Sequence, residues 1–117
     1  MMLEETIRIL SMQEEILQFP HFTNKDAWEL GSYMVSEAAH NGLPVVISIR
    51  LNNGYTLFQY GFKGTNYCNE IWMKRKHNTV RTMEMSSLRL YMDLKMNQEE
   101  PKDRGLNDEE YVACGGG

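Results

Sequence analysis

The 117-residue sequence predicts an α/β domain of the α+β type, an antiparallel sheet flanked by helices, and three observations carry that prediction. Apolar residues recur at helical spacing up to Asn41-Gly42, then switch to strict alternation after Pro44. A second alternating run follows a turn sequence, as a hairpin requires. From Asn69 to Met96 there is neither glycine nor proline, and apolar residues return to helical spacing. The length allows a single domain over residues 1–117, and surface scaling at this mass lets about two thirds of the chain's surface be buried.

Each element has a local reason. Leu3, Ile7, Leu10 and Leu17 form the stripe of a first amphipathic helix, widened by Ile9, Met12 and Ile16, with Glu4, Glu5, Glu14 and Glu15 assigned to the opposite side. Pro20 ends it, because the residue before a proline is pushed out of the α region, and Gln18 to Phe22 reads as an extended linker. Thr23 and Asp26 are spaced as a capping box and start a second helix. Its apolar face is expected to be Ala27, Leu30, Gly31, Met34, Val35 and Ala38, and Asn41-Gly42 is its stop. Val45, Ile47, Ile49 and Leu51 then face one way and Val46, Ser48 and Arg50 the other. Asn52-Asn53-Gly54 turns the chain into a partner strand from Tyr55 to Tyr60, and a loop runs from Gly61 to Cys68. Trp72, Val80, Met83, Leu90 and Leu94 mark one long third helix from Asn69 to about Met96. Gln98 to Asn107 reads as a polar surface loop, and Asp108 to Tyr111 as the start of one more helical turn.

Charge and composition exclude several classes. The net charge of −4 argues against nucleic acid as a partner, and only residues 69–96 are locally basic, between two acidic segments. No stretch is apolar enough to span a membrane, and the N-terminus lacks the basic and apolar regions of a secretory signal. Cys68 and Cys114 have no metal-binding spacing and read as free thiols, which points to the cytoplasm. His21, His40 and His77 stand apart from one another, so no protein metal site is expected, although one histidine suffices to ligate a heme iron.

The chemistry-bearing candidates sit on the predicted third helix. Lys74-Arg75-Lys76 brings a planar guanidinium and two mobile ammonium groups to an early turn, suited to a carboxylate or phosphate. Lys74 and Asn78 share one side, Arg75 and Thr79 another. The simple alternative is a solvated helix face. Ser86-Ser87 lacks the glycines of a nucleophile elbow, so no catalytic residue is assigned; two small side chains there allow a backbone or a ligand to come close.

The run Leu17 to Asn24, the strand Pro44 to Arg50, and Gly64-Thr65 followed by Asn69-x-x-Trp72-x-x-Arg75-Lys76-x-Asn78-Thr79-Val80 with Ser86-Ser87 resemble the uncharacterised branch of the GlcG/HbpS-type heme-degrading-domain superfamily. The resemblance covers residue 3 to the last glycine. It implies a profilin-like domain assembled into homo-oligomers. It also implies a small-ligand-binding role without assigned catalysis, the ligand being heme or another carboxylate-bearing molecule. The residues it points to are Asn69, Trp72, Arg75, Lys76, Asn78, Ser86 and Ser87. The alternative reading is a non-enzymatic, ligand-free assembly module in which the same helix builds a subunit interface. Against the branch pattern this chain has Cys68 for an aspartate, Tyr91 for a glycine and Cys114 for a histidine. The pattern continues past the terminal glycines with further strands and a final helix, so the expected domain here is truncated at its C-terminus.

Overall fold

The computed structural model describes residues 2–66 and 68–114. Its contacts gather them into two units, one of residues 19–71 and the other of residues up to 18 with those from 72 onward. Among the described residues there are four α-helices and one two-stranded antiparallel sheet, in the order α1 (Met2–Ile16), α2 (Asn24–His40), β1 (Val46–Arg50), β2 (Thr56–Gly61), α3 (Cys68–Met83) and α4 (Ser87–Met96), followed by a 3₁₀ turn (Pro101–Arg104). The α+β class follows as expected.

In the unit of residues 19–71, α2 lies on the hairpin. The helix opens with the capping box: the Asp26 amide donates to Thr23 Oγ1 (3.2 Å), and the Thr23 amide donates to Asp26 Oδ2 (2.9 Å). It ends where Gly42 takes a positive φ of 65° and the Leu43 amide returns to the Ala38 carbonyl (2.9 Å). The strands pair from Val46 with Gly61 to Ile49 with Phe58, and the register then shifts by one residue so that Arg50 faces Thr56. At the turn, Gly54 alone adopts positive φ (92°), its amide donating to the Leu51 carbonyl (2.8 Å), while Asn53 Oδ1 accepts from the Tyr55 amide (2.9 Å). Ala27, Ala38, Ile47 and Phe58 form the core, with Val35, Ile49 and Leu57 packed around them.

The buried stripe of α2 is narrower than the sequence suggests: Ala27, Gly31 and Ala38 are buried, Val35 is half-buried, and Leu30 and Met34 are exposed. The last two lie about 100° round the helix from their neighbours Gly31 and Val35. Small residues on the stripe let the helix approach the sheet closely, and Gly31 sits against the ring of Phe58.

In the other unit, Leu90, Leu94 and Leu106 form the core, with Met83, Met85, Tyr111 and Ala113 against it. Two expectations are corrected here. The predicted long helix is two helices: α3 stops at Met83, Glu84 turns into the left-handed region (φ 54°), and Ser86 N-caps α4 by accepting from the Arg89 amide (3.2 Å). No glycine or proline marks the break, because the cap and not a helix breaker makes it. The predicted surface loop is also structured, with a 3₁₀ turn over Pro101–Arg104 and with Leu106 fully buried. Arg104 fastens that turn, its guanidinium reaching Asp93 Oδ2 (2.9 Å) and Glu99 Oε1 (3.0 Å).

α1 differs as well. Leu3, Ile7 and Leu10 are half-buried, whereas Ile9, Met12, Ile16 and Leu17 are exposed. Glu14, expected on the solvent side, lies one turn beyond Leu10 on the stripe that contacts α4.

A Cβ at position 31 would overlap Phe58 Cγ, Cδ1 and Cε1. We expect Gly31→Ala to destabilise the protein by about 1–3 kcal/mol in chemical denaturation, the overpacking outweighing the gain in helix propensity. Adding Phe58→Leu should recover part of the loss; additive effects of the two substitutions would contradict this contact.

Candidate functional site

The residues singled out on the sequence divide among three places. Trp72, Arg75, Lys76 and Asn78 lie on α3 in the unit that contains the C-terminal segment. The Arg75 guanidinium carbon stands 5.4 Å from the centroid of the Trp72 ring, over an indole that is 45% exposed. Arg75 Nε donates to the Glu109 carbonyl (3.1 Å), and Asn78 Nδ2 donates to the Glu110 carbonyl (2.9 Å). One turn on, the fully buried Thr79 hydroxyl accepts from the Val112 amide (3.1 Å) and stands within donating distance of the Arg75 carbonyl (3.0 Å) and the Val112 carbonyl (2.9 Å). Three side chains of α3 thus hold main-chain groups of residues 109–112. The basic stretch and the acidic one meet through carbonyl oxygens, and among the described residues no ion pair joins them.

That segment is pre-shaped by Asn107, whose Oδ1 accepts from the amides of Glu109 (3.0 Å) and Glu110 (2.8 Å), while the Tyr111 amide returns to the Asn107 carbonyl (3.1 Å). The single turn expected from Asp108 is therefore present. Arg75 commits one of its five donors to this contact. Lys76 is half-buried on the same helix.

Ser86 and Ser87 lie at the start of α4. The Ser86 amide donates to Glu14 Oε1 (2.9 Å), and Arg89 Nη1 meets Glu14 Oε2 (2.7 Å), so one carboxylate from α1 closes on the first turn of α4. Ser87 is fully buried beside it. Burial pushes the Glu14 carboxyl upward, but the Ser86 and Arg89 contacts outweigh it and hold the group below the ordinary carboxylate range.

Asn69 belongs to the unit of residues 19–71, in the first turn of α3. That unit holds a polar cluster that the sequence reading passed over. Arg50 Nε donates to Ser48 Oγ (2.9 Å), Arg50 Nη2 pairs with Glu70 Oε2 (3.3 Å), and Gln59 Nε2 donates to Glu70 Oε1 (3.0 Å). The signal for it was present, since Ser48 and Arg50 are the polar positions of the alternating strand. The cluster is internally neutralised and staples the start of α3 to the sheet.

Cys68 and Cys114 are free thiols. Among the described residues no group of three or more His, Cys, Asp or Glu side chains is placed to hold a metal ion, and no helix is long and apolar enough to cross a membrane. Gly115 to Gly117, the end of the resemblance, lie outside the described residues.

Residues 22–117 match the family described as haem degrading protein HbpS-like. A UPF0303 protein of Yersinia enterocolitica is 34% identical over all of this chain and 70% of its own length. A UPF0303 protein of Serratia proteamaculans is 37% identical, over 99% of this chain and 72% of the relative. For a UPF0303 protein of Pseudomonas entomophila the identity is 37% over 100% and 65%. The crystal structure of the Ybr137w protein is similar with a TM-score of 0.78 and 29% identity, over 91% of this chain and 62% of that one. The chain therefore spans between 62% and 72% of the length of these proteins.

Two measurements check the contacts. Thr79→Val keeps the volume but leaves both main-chain groups of Val112 without the hydroxyl, and should cost about 1–3 kcal/mol in denaturation while speeding amide exchange at Val112. The Glu14 carboxyl is lowered in the folded state, so its contribution is complete above the ordinary glutamate value of about 4.3 and is lost as pH falls through the lowered value. The stability gap between the wild type and Glu14→Gln should accordingly close on acidification from pH of about 5 to about 3; a gap independent of pH would contradict the assignment.

Proposed function

Because the chain belongs to the HbpS-like family of haem-degrading proteins, we propose that it binds a small carboxylate-bearing ligand, with heme as the reference case, on the α3 face made by Trp72, Arg75 and Lys76. The observation that carries this reading is the exposed Trp72 indole with the Arg75 guanidinium over it. An aromatic surface and a cation held together supply both things a flat, anionic molecule needs: a stacking plane and a counter-charge. Arg75 is steadied by its bond to the Glu109 carbonyl, so little freedom remains to be lost when a ligand arrives. Lys76 adds a mobile charge that can reach a second carboxylate.

The chain's own residues bind and orient in this reading, and heme would bring the iron chemistry. Asn78 acts indirectly by fixing the Glu110 carbonyl and hence the segment against which Arg75 is set. Ser86 and Ser87 stand at the α4 corner, where the Ser86 amide meets Glu14 and Ser87 is buried.

Hemin titration tests the proposal. In a Trp28→Phe background Trp72 is the remaining tryptophan, and it should be quenched as the Soret band shifts and saturates. Replacing Arg75 and Lys76 together by alanine should weaken binding by about five- to tenfold, with the circular dichroism spectrum preserved. No Soret shift, or a shift indifferent to the double substitution, would overturn it.

A further inference from the structure

Within the unit of residues up to 18 and from 72 onward lies a groove of about 280 Å³, lined by Tyr91, Leu94, Lys95, Glu99, Pro101 and Ala113, with Glu100 beside them. Its surface is mostly apolar, and Leu94, a core residue, forms part of it. The charges around it are unevenly satisfied. Both Glu99 oxygens are taken by Arg104, at 3.0 and 3.4 Å, and Glu100 is paired with Lys102 at 3.2 Å. Lys95 has no carboxylate partner among the described residues. Its ammonium instead donates to the Tyr91 hydroxyl (3.4 Å) and stands 5.5 Å from the centre of the Tyr91 ring, as the spacing of four on α4 allows.

The groove therefore offers an apolar surface, one cation without a counter-charge, and a hydroxyl whose own proton is not needed by Lys95. From this we propose that it is a second ligand site, for a small amphipathic carboxylate. The apolar part would lie on Leu94, Pro101 and Ala113. The carboxylate would meet Lys95 Nζ and accept a hydrogen bond from the Tyr91 hydroxyl. A cationic ligand would find both acids already neutralised and Lys95 repelling it. A bare inorganic anion would leave the apolar surface unused, where most of a small ligand's affinity arises. The site does not rest on the Trp72 reading and uses none of its residues.

The probe is 3-phenylpropionate, followed by ¹H–¹⁵N correlation spectra of the full chain, with 3-phenylpropylamine as the charge-reversed control. We expect saturable shifts at the amides of Leu94, Lys95, Glu99 and Ala113 with the carboxylate only. Lys95→Gln should lose about fivefold in affinity, and Lys95→Arg should retain binding. No saturable shifts, equal binding of the amine, an affinity unchanged in Lys95→Gln, or shifts centred on the Trp72 indole N–H would each overturn the proposal.

Discussion

A backbone amide or carbonyl taken out of water must find a partner, and in this chain side chains supply it at several places where the helices and the hairpin do not. The two strands among the described residues can satisfy few main-chain groups through a ladder, so the irregular segments borrow from elsewhere. Thr79 answers both groups of Val112, Glu14 answers the Ser86 amide, and Asn107 answers Glu109 and Glu110. Each such bond also fixes where an element stops or turns. The helix ends, the α3 to α4 corner and the course of the last described residues are consequences of the same need.

The parts of the fold that were legible in the sequence are those whose causes are local. The Thr23–Asp26 box, the stop at Asn41-Gly42 and the hairpin around Gly54 are each decided within a few residues. The break between α3 and α4 is harder to see. Ser86 caps α4 through its own side chain, but no glycine or proline marks a stop between Asn69 and Met96, and the Glu14 carboxylate that accepts the Ser86 amide stands 72 positions earlier. Leu106 was hidden for a related reason: a lone apolar residue in a polar stretch has no period, and a 3₁₀ turn brings it to the core.

The candidate site shows the same division. The types of Trp72, Arg75 and Asn78 and their spacing on one helix could be read directly, but their relation to residues 109–112 could not, since it crosses more than thirty positions of sequence. Arg75 makes two contacts: its Nε supports a carbonyl, and its guanidinium carbon stands over an aromatic ring. A side chain used in this way is steadier than a solvated arginine and more useful for recognition. The polar face of the hairpin is a contrast, because Arg50 and Glu70 complete one another and leave little charge to offer.

The span of the Glu14 clasp also bears on the order of assembly. Residues 19–71 form one continuous stretch in which a helix meets the next hairpin, so its contacts close short loops and can form as the chain emerges during synthesis. The other unit joins α1 to α4 across that entire stretch, with Glu14 and Arg89 separated by 75 positions. α1 is made well before α4, and its apolar stripe is not covered by α4 until then. Along this chain α1 therefore completes its contacts with α4 only after the whole intervening unit has been made.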